Sequence, residues 1–144
     1  MTAAARVMKL LGGPDVLRAK PKTDLDFIAV MREGLPFGAL QHTIDALDIP
    51  LTEASRILRL NLRTLSRRKH SARLSQGESE RVLRLARVAA RASEVFRDTV
   101  RARAWLREPV RALGSVAPMD LLDTDIGTAH VLDVLGRIEW GVYS

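Results

Sequence analysis

The chain has 144 residues, 47% hydrophobic and 28% charged, with a net charge of +6. That apolar fraction is too high for a disordered chain and the apolar runs are too short to span a bilayer, so one water-folding domain, or two small ones sharing a core, is expected. The absence of cysteine excludes disulfides, thiolate nucleophiles and sulfur-ligated zinc, and His42, His70 and His130 have no ligand spacing, so neither a metal nor a cofactor is expected.

The opening MTAAARVMKLLGGP lacks the apolar core and cleavage site of a signal peptide, which predicts a cytoplasmic location. Residues 1–23, with Gly12, Gly13, Pro14 and Pro21, read as a loosely ordered arm with one or two helical turns. Asp24 is placed to cap a helix running to Arg32, with Leu25, Ile28 and Met31 on its apolar face and Gly34 as its stop. Pro36 opens the next helix, which carries Leu40, Ile44 and Leu47 and closes at Asp48 to Pro50. Thr52 and Glu53 begin a third, with Ala54, Ile57 and Leu58 apolar. After a break at Arg59 to Asn61, a fourth runs from Leu62 to Lys69.

Ser75 and Glu78 have capping-box spacing, in which each side chain satisfies a free N–H at a helix start. A long helical pattern follows, with Val82, Leu83, Leu85, Ala86, Ala89, Ala92, Val95 and Phe96 as its stripe and Arg84, Arg87 and Arg91 on the other side. Asp98 caps a separate segment to Leu106. Pro118 suits a short helix to Leu122, and Thr124 caps a final helix from Asp125 to about Trp140. The apolar band of that last helix, from Ile126 to Ile138, is wide enough to predict burial on two sides. No window alternates with period two, so the fold class is all-α.

Charge is unevenly distributed: residues 1–55 sum to −1, residues 56–111 to +11 and residues 112–144 to −4. Nineteen of the 23 basic residues are arginine, the side chain suited to bidentate phosphate and guanine contacts. The basic middle predicts a polyanion-binding surface, or an acidic neighbour that balances it.

Residues 51–74 have the pattern of a helix-turn-helix. Ile57, Leu58, Leu60, Leu62 and Leu65 would pack the two helices together, leaving Arg63, Thr64, Ser66, Arg67 and Arg68 to face a major groove, with Lys69, the last of the expected DNA-binding residues, near the phosphates together with His70 and Arg73. The run Thr64-Leu65-Ser66-Arg67 resembles the second helix of the phage-repressor, or Xre-type, helix-turn-helix. Arg59 departs from that pattern, whose turn commonly has glycine.

Residues 75–144 carry a second pattern: Val95-Phe96, Ala104-Trp105-Leu106, Pro109, Leu113-Gly114, Pro118-Met119-Asp120-Leu121-Leu122, Thr124, Gly127, Val131, Leu135-Gly136-Arg137-Ile138 and Gly141-Val142-Tyr143-Ser144. This segment resembles the toxin-binding domain of the Xre/MbcA/ParS antitoxins, which accompany toxins of the RES fold. Ser115 stands where that family usually has a second glycine. The resemblance implies a type II toxin–antitoxin system whose toxin consumes NAD and whose antitoxin places its C-terminal end in the NAD pocket. The expected toxin-binding residues are Arg137, Trp140, Gly141, Val142, Tyr143 and Ser144, with Tyr143 as anchor. Arg137 could equally pair with Asp133 or Glu139 on its own helix.

Three regions follow: residues 1–50 as arm, dimerising helices and core, 51–74 as DNA-binding unit, and 75–144 as C-terminal antitoxin domain. The expected partners are a RES-domain toxin, operator DNA and a second copy, because one recognition helix alone makes few contacts and two-fold symmetry doubles them. The alternatives are a stand-alone dimeric helix-turn-helix regulator without a toxin partner, and an architectural nucleic-acid binder. No nucleophile with its base, phosphate loop or carboxylate pair suggests catalysis.

Overall fold

The structure is a computed structural model that describes residues 1–71 and 73–141, excepting the side chains of Leu62, Arg68, Lys69, His70 and Ser71. The described residues form nine α-helices and no strand. These are α1 (Ala3–Leu10), α2 (Gly13–Leu17), α3 (Phe27–Glu33), α4 (Phe37–Ala46), α5 (Leu51–Leu58), α6 (Leu62–Ser71), α7 (Gln76–Phe96), α8 (Thr99–Arg107) and α9 (Asp125–Glu139). None of them is long and apolar enough to cross a membrane.

The 21-residue α7 is the axis of the molecule, and α1, α3, α4, α5, α8 and α9 all pack against it. It starts with the expected capping box: the Ser75 hydroxyl accepts from the Glu78 amide at 3.1 Å, and the Glu78 carboxylate accepts from the Ser75 amide at 2.7 Å. Its small residues Ala86, Ala89, Ala90 and Ala92 are buried, and small side chains let neighbouring helices approach closely on several sides. Val88 and Ala90 join the buried set beyond the predicted stripe, whereas Val95 and Phe96 at its end are half-buried.

Residues 1–23 are not a loose arm. The Thr2 hydroxyl caps α1 by accepting from the Ala5 amide at 3.1 Å, and Ala4, Val7, Leu11 and Leu17 are buried in the common core. Four buried apolar side chains give this segment enough burial to offset the entropy of ordering it.

The start of α3 also differs from expectation. The Asp26 carboxylate accepts from the amides of Lys22 (2.8 Å) and Thr23 (3.1 Å), so Thr23 and Asp26, rather than Asp24, initiate the turn. These two backbone bonds hold the Asp26 carboxyl below its ordinary range. A short 3-10 turn at Asp24–Asp26 rotates the helix that follows, so Phe27, Val30 and Met31 are buried while Leu25 and Ile28 face outwards.

Gly34 ends α3 with φ +91°, and a Cβ there would lie 2.2 Å from the Leu74 carbonyl oxygen. This approach is fixed by the Leu74 amide donating to the Leu35 carbonyl at 2.7 Å and the Leu35 amide donating to the buried Ser79 hydroxyl at 2.7 Å. The exit of the helix-turn-helix is thereby sewn to α7.

Candidate DNA-reading and toxin-binding surfaces

The helix-turn-helix is α5 followed by α6. Ile57, Leu58, Leu60 and Leu65 are buried between the helices and the core, while the Leu62 side chain lies outside the described residues. The turn closes through the Leu60 amide donating to the Ser55 carbonyl at 2.8 Å, with the Ser55 hydroxyl donating to the Leu60 carbonyl. Arg59 occupies the turn in the left-handed conformation, φ 53° and ψ 48°. The turn forms despite the missing glycine. Asn61 then starts α6, its side-chain oxygen accepting from the Thr64 amide at 3.1 Å.

On α6, Arg63, Ser66 and Arg67 are exposed and Thr64 is half-buried beside the fully buried Leu65. Among the described residues neither Arg63 nor Arg67 has an ion-pair partner. The Arg68 and Lys69 side chains, expected on the same surface, lie outside the described residues. Arg73, expected near phosphates, instead donates to the Gly34 carbonyl at 2.8 Å and forms an isolated antiparallel bridge with Pro36. The close packing of the Gly34 turn brings that carbonyl within its reach.

Six other arginines of the basic middle are balanced within the fold. Arg56 pairs with Asp120 and Arg59 with Asp123 at 3.2 and 3.1 Å, Arg84 pairs with Asp125, and Arg87 pairs with Asp24 at 3.2 Å. Arg91 bridges Glu94 and Glu139, and Arg107 lies 3.8 Å from Glu53. The expected outer face of α7 at Arg84, Arg87 and Arg91 is thus an ionic seam: Arg84 and Arg91 grip the two ends of α9, and Arg87 grips the turn before α3. Part of the +11 of residues 56–111 thus finds acidic neighbours in the same chain, while Arg63 and Arg67 on α6 and Arg97, Arg101 and Arg111 beyond it stay exposed.

The same pairs account for the acidic third. Asp120, Asp123, Asp125, Asp133 and Glu139 each pair with an arginine of the chain, so every carboxylate behind the excess of −4 has a partner within the fold. Arg137 takes the intrahelical alternative, pairing with Asp133 at 2.8 Å.

Helix α9 begins with the Thr124 hydroxyl accepting from the Gly127 amide at 2.9 Å, and it is seated by the 3-10 turn Pro118–Leu121. A Cβ on Gly127 would lie 2.0 Å from the Leu121 carbonyl oxygen, so only glycine permits this seating. Val131, Val134 and Leu135 are buried, but Ile126 is 74% exposed and Ala129 is exposed. The helix is therefore buried on one side, where α7 and the 3-10 turns Arg111–Leu113 and Pro118–Leu121 pack against it. At its far end Trp140 is 81% exposed, and Gly141 turns the backbone with φ +73°. A polar cleft of about 670 Å³ lies beside this end, lined by Arg6, Glu94, Arg97, Ile138 and Glu139 among others. Val142, Tyr143 and Ser144 lie outside the described residues.

Two family models match consecutive stretches of the chain: the antitoxin Xre-like helix-turn-helix domain at residues 26–87 and the antitoxin Xre/MbcA/ParS C-terminal toxin-binding domain at residues 91–141. The chain is 35% identical over 121 residues to Antitoxin Xre of Yersinia enterocolitica, covering 80% of this chain and 82% of the relative. The chain belongs to the Xre antitoxin family. Antitoxin Xre of Photorhabdus laumondii is 33% identical over 118 residues, covering 81% and 80%. A protein of Sphingobium named Prs ADP-ribosylating antitoxin is 33% identical over 139 residues, covering 88% and 84%. This antitoxin thus combines a helix-turn-helix with a toxin-binding domain, and the two matched stretches meet within α7. Sequence reasoning missed the ionic seam, since its partners are from 41 to 64 residues apart for Arg84–Asp125, Arg91–Glu139, Arg87–Asp24 and Arg56–Asp120.

Proposed function

We propose that this antitoxin neutralises a RES-domain, NAD-consuming toxin by placing its C-terminal end at the toxin's active site, and that it acts as a homodimer that represses its own operon. The observation that carries the toxin-directed half is the end of α9. Glu139 is held by Arg91, Trp140 projects into solvent, and Gly141 has a positive φ, which supports a fixed base from which the last residues would reach a partner. Arg137 and Trp140 would contact the rim, with Gly141, Val142, Tyr143 and Ser144 entering the cavity. The printed name of the relative from Sphingobium, Prs ADP-ribosylating antitoxin, refers to ADP-ribosylation, a reaction that takes NAD as substrate, and this supports a NAD-directed partner.

The DNA-directed half rests on α6. Arg63, Ser66 and Arg67 face outwards on a helix anchored by buried Leu65, with Thr64, Arg68 and Lys69 completing the reading surface on a major groove. Residues 1–50 would contribute the dimer contact, 51–74 the reading head and 75–144 the toxin-binding unit. The match to a toxin-binding domain favours this account over a regulator that works alone.

Removal of residues 141–144 tests the first half. Folding and DNA binding should persist while rescue of cells expressing the partner toxin is lost; undiminished rescue refutes the plug. Arg63→Ala with Arg67→Ala tests the second, with operator preference expected to fall by roughly 1–3 kcal/mol for each lost base contact.

A further inference from the structure

A second concave site lies away from both surfaces, between α1, α4, α7 and α8. It has a volume of about 290 Å³, and its floor is formed by Leu10, Leu47, Ala89, Ala90, Ala102 and Leu106. Its polar rim consists of Arg6, Lys9, His42 and Arg103 with the hydroxyls of Ser93 and Thr99, and none of its lining residues is acidic. Arg6 is engaged by Glu94 at 3.1 Å. Among the described residues, Lys9 and Arg103 have no ion-pair partner. What sets these two cations apart is their place, on the rim of a concave apolar floor.

We propose that this pocket binds a small amphipathic anion: a carboxylate with an unbranched apolar body of medium length. The volume suits a small molecule rather than a protein segment. The apolar floor gains by covering, and the rim offers only positive charge and hydroxyl donors to the head group. A second copy of the chain is a poor occupant, because two-fold apposition would bring Lys9 and Arg103 against their own images. The floor and rim also straddle the junction of the two matched domains. His42 and Leu47 belong to the helix-turn-helix match, Ala102, Arg103 and Leu106 to the toxin-binding match, and Lys9 to the docked N-terminal segment. A ligand there would touch all three and bias their relative packing, the physical basis of linkage between the antitoxin's two surfaces.

Octanoate is the probe, titrated into the full chain by calorimetry, with 1-octanol and butyrate as controls lacking the charge and the apolar body respectively. One octanoate should bind per chain, more tightly than either control, and raise the melting temperature with concentration. Lys9→Gln with Arg103→Gln should weaken octanoate about tenfold while leaving octanol unchanged, the pattern of a lost charge contact. Ala46→Phe, at a half-exposed position on the pocket wall, should abolish both; circular dichroism checks that each variant folds, and Lys9→Gln alone, at an exposed site, serves if the double variant does not. Absence of binding at millimolar octanoate, equal affinity for octanoate and octanol, binding that ignores the rim or wall substitutions, or self-association that blocks the pocket would each overturn the proposal.

Discussion

Arg91 and Glu139 meet across the seam between α7 and α9 as a two-bond pair, Nη1 donating to Oε2 and Nη2 to Oε1, both at 2.9 Å. Such a fork fixes direction as well as distance. Glu139 stands one residue before Trp140, so the pair fixes the last turn of α9 from which Trp140 projects.

The pair predicts a pH dependence. The Arg91 hydrogen bonds hold the Glu139 carboxyl below its usual 4.5, and the carboxylate raises the guanidinium in turn. With the folded value depressed, the contribution is fully present above the unfolded value and is lost as pH falls through the folded one. Trp140 emission, followed in a Trp105→Phe background, should therefore change only below about pH 4.5 in the parent and be insensitive to that transition in Glu139→Gln. Identical acid titrations in both proteins would show that the pair does not order the helix end.

Gly127→Ala should destabilise the protein by about 1–3 kcal/mol, the usual range for overpacking. Alanine improves helix propensity by up to about 1 kcal/mol, but its Cβ would meet the Leu121 carbonyl oxygen at 2.0 Å, so the clash decides the sign. Urea denaturation measures the difference, and a variant as stable as the parent would rule out the close seating of α9.

Arg59 and Ser115, the two places where the sequence replaces a family glycine, both have positive φ, 53° and 61°. A non-glycine residue there carries a cost of roughly 1–2 kcal/mol. Arg59→Gly should thus stabilise the fold by about 1 kcal/mol, since the exposed pair it gives up with Asp123 is worth little. Ser115→Gly should act in the same direction. Lowered melting temperatures in both variants would contradict the strain.

Leu11→Ala should cost about 2–5 kcal/mol, as for other fully buried leucines. A loose arm would give almost no change, so thermal unfolding separates the two descriptions of residues 1–23.

The sequence was sufficient wherever the determining signal is local. Ser75 and Glu78, Asp98, Thr124 and the Pro36 start mark helix boundaries through neighbouring amides, and the heptad-scale spacing of Ile57, Leu58 and Leu65 buries the helix-turn-helix as expected. The linear motifs likewise carried the antitoxin family. Only tertiary structure decided which charges remain outward: Arg63 and Arg84 look alike in the sequence, yet one faces solvent and the other pairs with Asp125 on a helix 41 residues away. It also decided that the N-terminal segment docks on α7 and that Ile126 faces outwards. Helix caps are set by atoms within one turn, whereas ion pairing and burial depend on which distant surfaces the folded chain brings together, and local periodicity does not encode that choice.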